Sequence, residues 1–236
     1  MTINLLQQDL ESLARHGALR LAAALDMATL RELEEVLAGY APEQAGTRLQ
    51  GVAALAPFLA ASGPVGSAAA VVLGEGARPV RAVYFDKTSE SNWAVPWHQD
   101  RTIVIRERTE VAGFGPWTIK GGLQHVAPPY EVLARMVTLR VHLDPVPEGN
   151  APLLIAPGSH RLGRIAEADV PAVVARCGTA VCDAEPGDIW LYSTPILHAS
   201  EAATRPGHRR VLQVDFAADE LPGGLEWLGC EVRRVD

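Results

Sequence analysis

Cysteine is scarce. The 236 residues contain only Cys177, Cys182 and Cys230. An odd number without a C-x-x-C pair excludes a disulfide framework and the common zinc motifs, and fits a reducing, cytoplasmic setting. Small buried apolar residues are the reading for Cys177 and Cys182. Long apolar runs are also missing. Residues 52–61 and 67–73 are the longest, far short of the ~20 residues that cross a bilayer. Residues 1–9 lack the basic start and apolar stretch of a secretory signal. Positive charge is the third shortage: Lys+Arg is 21 against Asp+Glu 28, a formal net charge of −7. With an isoelectric point near 5.5, nucleic acid and anionic membrane surfaces are poor partners. A small molecule is the expected partner. No repeat, low-complexity tract or linker stands out, and nothing in the sequence specifies an oligomeric state.

Apolar residues make up 48% of the chain and charged residues 21%, a globular balance. Apolar spacing of three and four residues predicts helices over 6–15 and 28–37, the second capped by Asp26 and stopped by Gly39. Ala-rich segments 51–61 and 66–73 read as two more. From Pro79 the texture changes to short β-prone runs between Pro/Gly turns, at 80–85, 95–105, 136–143, 152–155, 178–182, 188–192 and 210–216. Several short strands without long intervening helices predict an antiparallel barrel or sandwich. The expected fold is mainly β with helical cladding, a double-stranded β-helix of the jelly-roll or cupin-like kind. It is read as a single domain over 1–236, with helical cladding at 1–78 and the barrel core at 79–220.

The notable cluster is Trp97-His98-Gln99-Asp100. Residues i and i+2 of a strand share a face, so His98 and Asp100 point the same way. One more imidazole makes a facial set of two nitrogens and one carboxylate, a donor set typical of non-haem Fe(II) oxygenases. His142, His160, His198 and His208 are the candidates. His198 ends a β-like run, with Ser200 two residues on and Arg209 eleven residues on; a cation so placed suits a carboxylate of a dicarboxylic co-substrate. The pattern repeats at His142-Leu143-Asp144, but Asp144-Pro145 opens a turn in which Asp serves as acceptor, so His98/Asp100 is preferred.

Other residues have plainer readings. His160 belongs to a turn at the barrel mouth, His208 to a solvated loop, and His16 to a helix C-terminus. Asp188 caps the turn Pro186-Gly187-Asp188. Arg209 and Arg210 alternate, so one faces inward and the other outward.

Four segments together resemble the phytanoyl-CoA dioxygenase family. They are residues 92–100 ending in Trp97-His98-Gln99-Asp100, Ala156-Pro157-Gly158-Ser159-His160-Arg161, Pro186-Gly187-Asp188, and His198-Ala199-Ser200 with Arg209-Arg210. The similarity runs in motif order from about residue 80 to 216. It implies a double-stranded β-helix enzyme using Fe(II), 2-oxoglutarate and O2, with His98, Asp100 and His198 as iron ligands. It further implies that Arg209 pairs with the far carboxylate of 2-oxoglutarate and that Ser200 assists. One departure is Asn150-Ala151-Pro152, where the family usually has Asn-Gly-Pro. Because Asp100 supplies a carboxylate where related halogenases have a small residue, hydroxylation is the expected outcome.

Further co-substrate contacts are expected from Asn92, Lys87 and Gln99. Arg140 shares the polar face of its strand with Thr138 and His142, opposite an apolar face, and is expected to hold an anion or form a structural salt bridge. Residues 107–129 lack a clear pattern and are expected to form a substrate-covering loop, in which Trp117, Lys120 and His125 touch substrate. Two other classes are weighed: a different metal-dependent enzyme, such as a hydrolase or isomerase, and a non-catalytic small-molecule-binding barrel.

Overall fold

Apolar spacing builds the first helix, α1 (Gln7–His16), and Gly17 ends it at φ +80°, its N–H donating to the Leu13 carbonyl at 2.7 Å. The computed structural model describes residues 5–40 and 46–230; residues 1–4, which belong to the stretch read for a signal, and residues 41–45 and 231–236 lie outside that part. The four residues after Gly17 form strand β1 (Ala18–Leu21). Helix α2 (Met27–Leu37) begins as expected at Asp26, whose carboxylate accepts the Thr29 N–H at 2.8 Å. Gly39 does not stop it directly: a 3-10 turn, Ala38–Tyr40, continues the coil. Strand β2 (Thr47–Arg48), helix α3 (Ala56–Leu59) and helix α4 (Gly66–Leu73) follow. The segment 1–78, expected as helical cladding, thus also supplies two strands.

The rest is mostly strand: β3 (Arg78–Lys87), β4 (Val95–His98), β5 (Ile103–Ile105), β6 (Trp117–Lys120) and β7 (Leu123–Val126), then helix α5 (Tyr130–Ala134). Strands β8 (Val137–His142) and β9 (Leu153–Ile155) precede helix α6 (Val170–Cys177), which the sequence reading did not expect. Strands β10 (Ala180–Cys182), β11 (Ile189–Ser193), β12 (His198–Ser200) and β13 (Arg209–Ala217) complete the chain order. The strands pair antiparallel in sheets ordered β1-β11-β8-β13-β3-β2, β10-β9-β12-β4 and β5-β7-β6. This is the expected double-stranded β-helix, mainly β with helical cladding.

Alternation along the strands decides what each side of the large sheet does. Leu139 and Val141 of β8, with Leu212, Val214 and Phe216 of β13, face Leu30, Leu33, Leu55 and Leu59 in the main apolar cluster. Burial of such side chains stabilises by about 1.5–3 kcal/mol each. The opposite faces carry Arg81, Val83, Phe85 and Lys87 on β3 and Arg209, Val211, Gln213 and Asp215 on β13. Register makes rows of them: Arg209 beside Lys87, Gln213 between Val83 and Arg140, and Asp215 between Arg81 and Thr138.

Two expectations are corrected. Residues 95–105 do not form one strand, because the chain leaves the sheet after His98 and β5 joins another. Residues 107–129 are not an irregular loop: β6 and β7 form a hairpin whose turn is Gly121-Gly122, at φ +56° and +76°. Two successive residues with positive φ match a tight hairpin turn, so Gly-Gly between β-prone runs was a signal in the sequence. Phe114 and Trp117 join an apolar cluster with Leu133, Met136 and Trp227.

Candidate active site

His98 and His198 lie directly opposite each other on β4 and β12, with ring centroids 4.3 Å apart. Each ring is oriented by the same device. The His98 Nδ1 sits 2.8 Å from the Pro96 carbonyl, and the His198 Nδ1 sits 3.0 Å from the Ile196 carbonyl, in both cases two residues back. A carbonyl there fixes the Nδ1–H tautomer and leaves both Nε2 lone pairs free for a metal. Asp100 falls two residues after His98, and one donor atom from each of the three lies within 4.8 Å of the others. That spacing and donor chemistry fit a divalent transition metal. The pattern alone left the third imidazole open; the cross-strand register brings His198 to the pair. His160 lies against Gly17 and the Ala14 carbonyl instead. His208 is an exposed partner of Asp86.

Behind the triad stands a pair that sequence reasoning missed. Arg81 contacts Asp215 at 2.6 Å and Asp100 at 3.3 Å, and Thr138 donates to Asp215 at 2.9 Å. Burial favours the neutral Asp100 acid, but the Arg81 charge outweighs it and holds the carboxyl below its ordinary range. Burial pushes Asp215 upward. Burial also lowers His198 to about 4, so it stays neutral and able to ligate. The signal for Arg81 and Asp215 was their phase: both are charged residues that alternate with the core-facing residues Ala82 and Val214 of their strands.

A cavity of about 390 Å³ opens beside the triad. Its lining includes five cationic side chains, Arg48, Arg81, Lys87, Arg140 and Arg209, and one carboxylate, Asp100. Lys87 donates to Ser200 Oγ at 2.9 Å and to the Trp93 carbonyl at 2.5 Å. Burial, then the Arg209 and Arg140 charges, lowers it to about 7. Arg209 is 3% exposed; it donates to the Ala151 carbonyl through Nη1, and its Nε finds no partner among the described residues. Burial and Arg140 lower it to about 9. Arg140 donates to Gln213 at 2.7 Å, and its Nε is also unpartnered among the described residues. No carboxylate pairs with these three among the described residues, and buried cations in that state are costly unless an anion joins them. A larger groove, about 510 Å³, lies elsewhere and is mainly apolar, lined by Leu10, Leu13, Val71 and Met136 among others.

Other expected site residues go elsewhere. Asn92 spends both ends of its amide on the backbone of Ala203, at 2.6 and 2.9 Å, and ties down the loop after β12. Gln99 faces away from its neighbours His98 and Asp100 and bonds the backbones of Gly163, Pro195 and Ile165. Trp117 packs in the hairpin cluster, Lys120 is exposed at the hairpin end, and His125 is buried next to Thr102; none lines the cavity. Arg210 faces outward, as the alternation required, and grips Asp144 and Glu34. Asp188 caps its turn through the Glu185 N–H and also holds Arg20 and the Ala23 N–H, locking β1 to the sheet.

A family model described as phytanoyl-CoA dioxygenase matches residues 60–211. The chain belongs to the phytanoyl-CoA dioxygenase family. Solved structures with the same fold include EctD from S. alaskensis, in its apoform, at 18% identity and a TM-score of 0.69, covering 98% of this chain and 82% of that one. AviO1 from Streptomyces viridochromogenes Tue57 aligns at 17% identity and a TM-score of 0.64, covering 92% and 96%. HygX from Streptomyces hygroscopicus, with nickel, 2-oxoglutarate and hygromycin B bound, aligns at 13% identity and a TM-score of 0.62, covering 97% and 98%. No curated protein matches the chain in sequence. Among the described residues, no helix of this family member is long and apolar enough to cross a membrane.

Proposed function

We propose that this family member is an Fe(II)- and 2-oxoglutarate-dependent oxygenase that hydroxylates a C–H bond of a small-molecule metabolite. One observation carries the reading: a two-His, one-carboxylate cluster and a set of buried cations without carboxylates share one cavity. His98, Asp100 and His198 would hold the iron, and Arg209, Lys87 and Ser200 the far carboxylate of 2-oxoglutarate. Bound there, iron supplies the activation of O2 that C–H hydroxylation requires. The chain's own residues do the rest. The Pro96 and Ile196 carbonyls aim the imidazoles, Arg81 keeps Asp100 ionised, and Arg140 adds a second buried guanidinium to the cavity wall. The record of nickel and 2-oxoglutarate in HygX supports this choice of ligands. A zinc or manganese hydrolase or isomerase, or a non-catalytic binding barrel, would need some other anion to answer Lys87, Arg140 and Arg209.

Anaerobic titration tests the reading. One Fe(II) should bind per chain, and 2-oxoglutarate should bind the loaded protein. Arg209→Ala should weaken 2-oxoglutarate by about 2–5 kcal/mol, the cost of leaving a desolvated charge unpaired. Equal affinity in wild type and Arg209→Ala refutes the assignment. Succinate formation across a metabolite panel then finds the substrate, and a chlorinated product from the wild type would overturn hydroxylation.

A further inference from the structure

The rim of the cavity carries charge that neither the triad nor a dicarboxylate uses. Register pairs Arg48 of β2 with Val83 of β3, which places its side chain on the cavity side of the sheet. Each other cavity cation has a described partner: Asp100 and Asp215 for Arg81, Ser200 for Lys87, Gln213 for Arg140 and the Ala151 carbonyl for Arg209. Arg48 is exposed and has no ion-pair partner among the described residues. Its guanidinium rests against the tip of the β6–β7 hairpin. A Cβ built on Gly121 would lie 2.9 Å from Arg48 Nη1, so the bare glycine makes room for it. Lys120, the preceding residue, brings a second exposed positive charge to that tip.

The charge balance points outward. Asp100 and Asp215 offset Arg81 and part of a bound Fe(II). A 2-oxoglutarate dianion offsets two of Lys87, Arg140 and Arg209. The loaded cavity keeps an excess of positive charge, in a chain whose net charge is −7. Part of the same lining is apolar: Val83, Phe85, Trp93 and Val95. On the basis of the oxygenase reading, we propose that the substrate is an organic anion, a carboxylate, phosphate or sulfate on an apolar body, and that Arg48 selects it. The apolar body packs on those four side chains, and the anionic group faces Arg48.

The test is binding. The protein is loaded with Ni(II), which is redox-silent, and saturated with 2-oxoglutarate so that the deep cations are occupied. It is then titrated with hexanoate, hexyl phosphate, hexan-1-ol and hexylamine, followed by calorimetry. Wild type should bind the two anions about three- to fivefold tighter than the neutral and cationic probes, the upper end of the range for a solvent-accessible ion pair. Arg48→Gln should bring all four within about twofold, and Arg48→Glu should turn the preference towards hexylamine. Anion preference that survives Arg48→Glu overturns the proposal, as does its absence in wild type. Nickel and 2-oxoglutarate affinities from the same samples report separately on the oxygenase reading. If wild type binds neither, that reading falls, and the four probes on metal-free wild type and Arg48 variants still decide the role of Arg48.

Discussion

The chain contains the pattern His-x-Asp twice, and the fold treats the two copies oppositely. In His98-Gln99-Asp100 the histidine faces His198 across two strands, and Asp100 reaches the same cavity. In His142-Leu143-Asp144 the histidine is 2% exposed and neither ring nitrogen has a hydrogen-bond partner among the described residues, although it points to the same barrel interior. Asp144 turns away from it and accepts the Arg210 backbone N–H at 2.8 Å and its guanidinium at 2.7 and 2.9 Å. The first copy belongs to a donor set whose spacing fits a cation. The second is structural: a neutral buried ring and a carboxylate whose charge is already answered. The residue pattern is shared, and the neighbours across the strands make the difference.

Metal affinity should separate the copies most strongly. His98→Ala and His198→Ala should each weaken Fe(II) by more than about 100-fold, beyond what loss of an outer-sphere partner costs. His142→Ala should stay within about threefold of wild type in anaerobic calorimetry. The reverse outcome would show that the wrong copy has been chosen.

Stability should separate the aspartates. Asp144→Ala removes the acceptor that holds β13 to the turn after β8 and leaves the Arg210–Glu34 contact alone. It should cost about 2–3 kcal/mol in urea unfolding, the scale of hydrogen bonds to a charged group, with 2-oxoglutarate affinity unchanged in the folded protein. Arg210 should behave in the same way.

The pH dependence isolates His142. Burial, then the charges of Arg140 and Arg209, lowers its pKa to about 3, while Asp188 pulls weakly upward. The unfolded chain takes up a proton near pH 6.5 that the folded chain refuses, so stability falls as pH drops below 6.5 and continues to fall towards 3. Between pH 7 and pH 5 this histidine alone should remove about 2 kcal/mol. His142→Leu should flatten the wild-type pH curve by that amount; a curve parallel to wild type would mean the ring is protonated in the fold.

The smallest effect concerns the turn that follows the second copy. Ala151 sits at φ 51°, ψ 58°, in the left-handed region. The family resemblance expects glycine there, and the fold gives the reason: the carbonyl of Ala151 must turn to meet Arg209. Ala151→Gly should raise stability by about 0.5 kcal/mol, as relief of the left-handed penalty slightly exceeds the added chain entropy. Melting temperature read by calorimetry would show this as a rise of a degree or two.

Much of this was legible in the sequence where local geometry suffices. The helix at Asp26, the inward and outward alternation of Arg209 and Arg210, and the polar face of Thr138, Arg140 and His142 follow from periodicity and capping alone. Short elements were not legible. Strand β1 is four residues directly after a helix and β2 is two residues, and both exist because a neighbouring edge offers hydrogen bonds. Asn92 and Gln99 looked like site residues because they stand beside site residues, but alternation and backbone partners send their amides elsewhere.

By itself, then, the sequence determined the relations within a strand or turn: that His98 and Asp100 share a side, that Arg209 and Arg210 do not, and that Asp144 ends a strand. These depend on backbone period, which is local. Only the tertiary structure decided that His98 meets His198 a hundred residues later, that Arg81 lies between Asp100 and Asp215, and that Lys87, Arg140 and Arg209 share one cavity. Those relations depend on register between strands. Register is set when the apolar faces of β3, β8 and β13 pack against the helices, and a slip of one residue would turn every one of these charges to the other face.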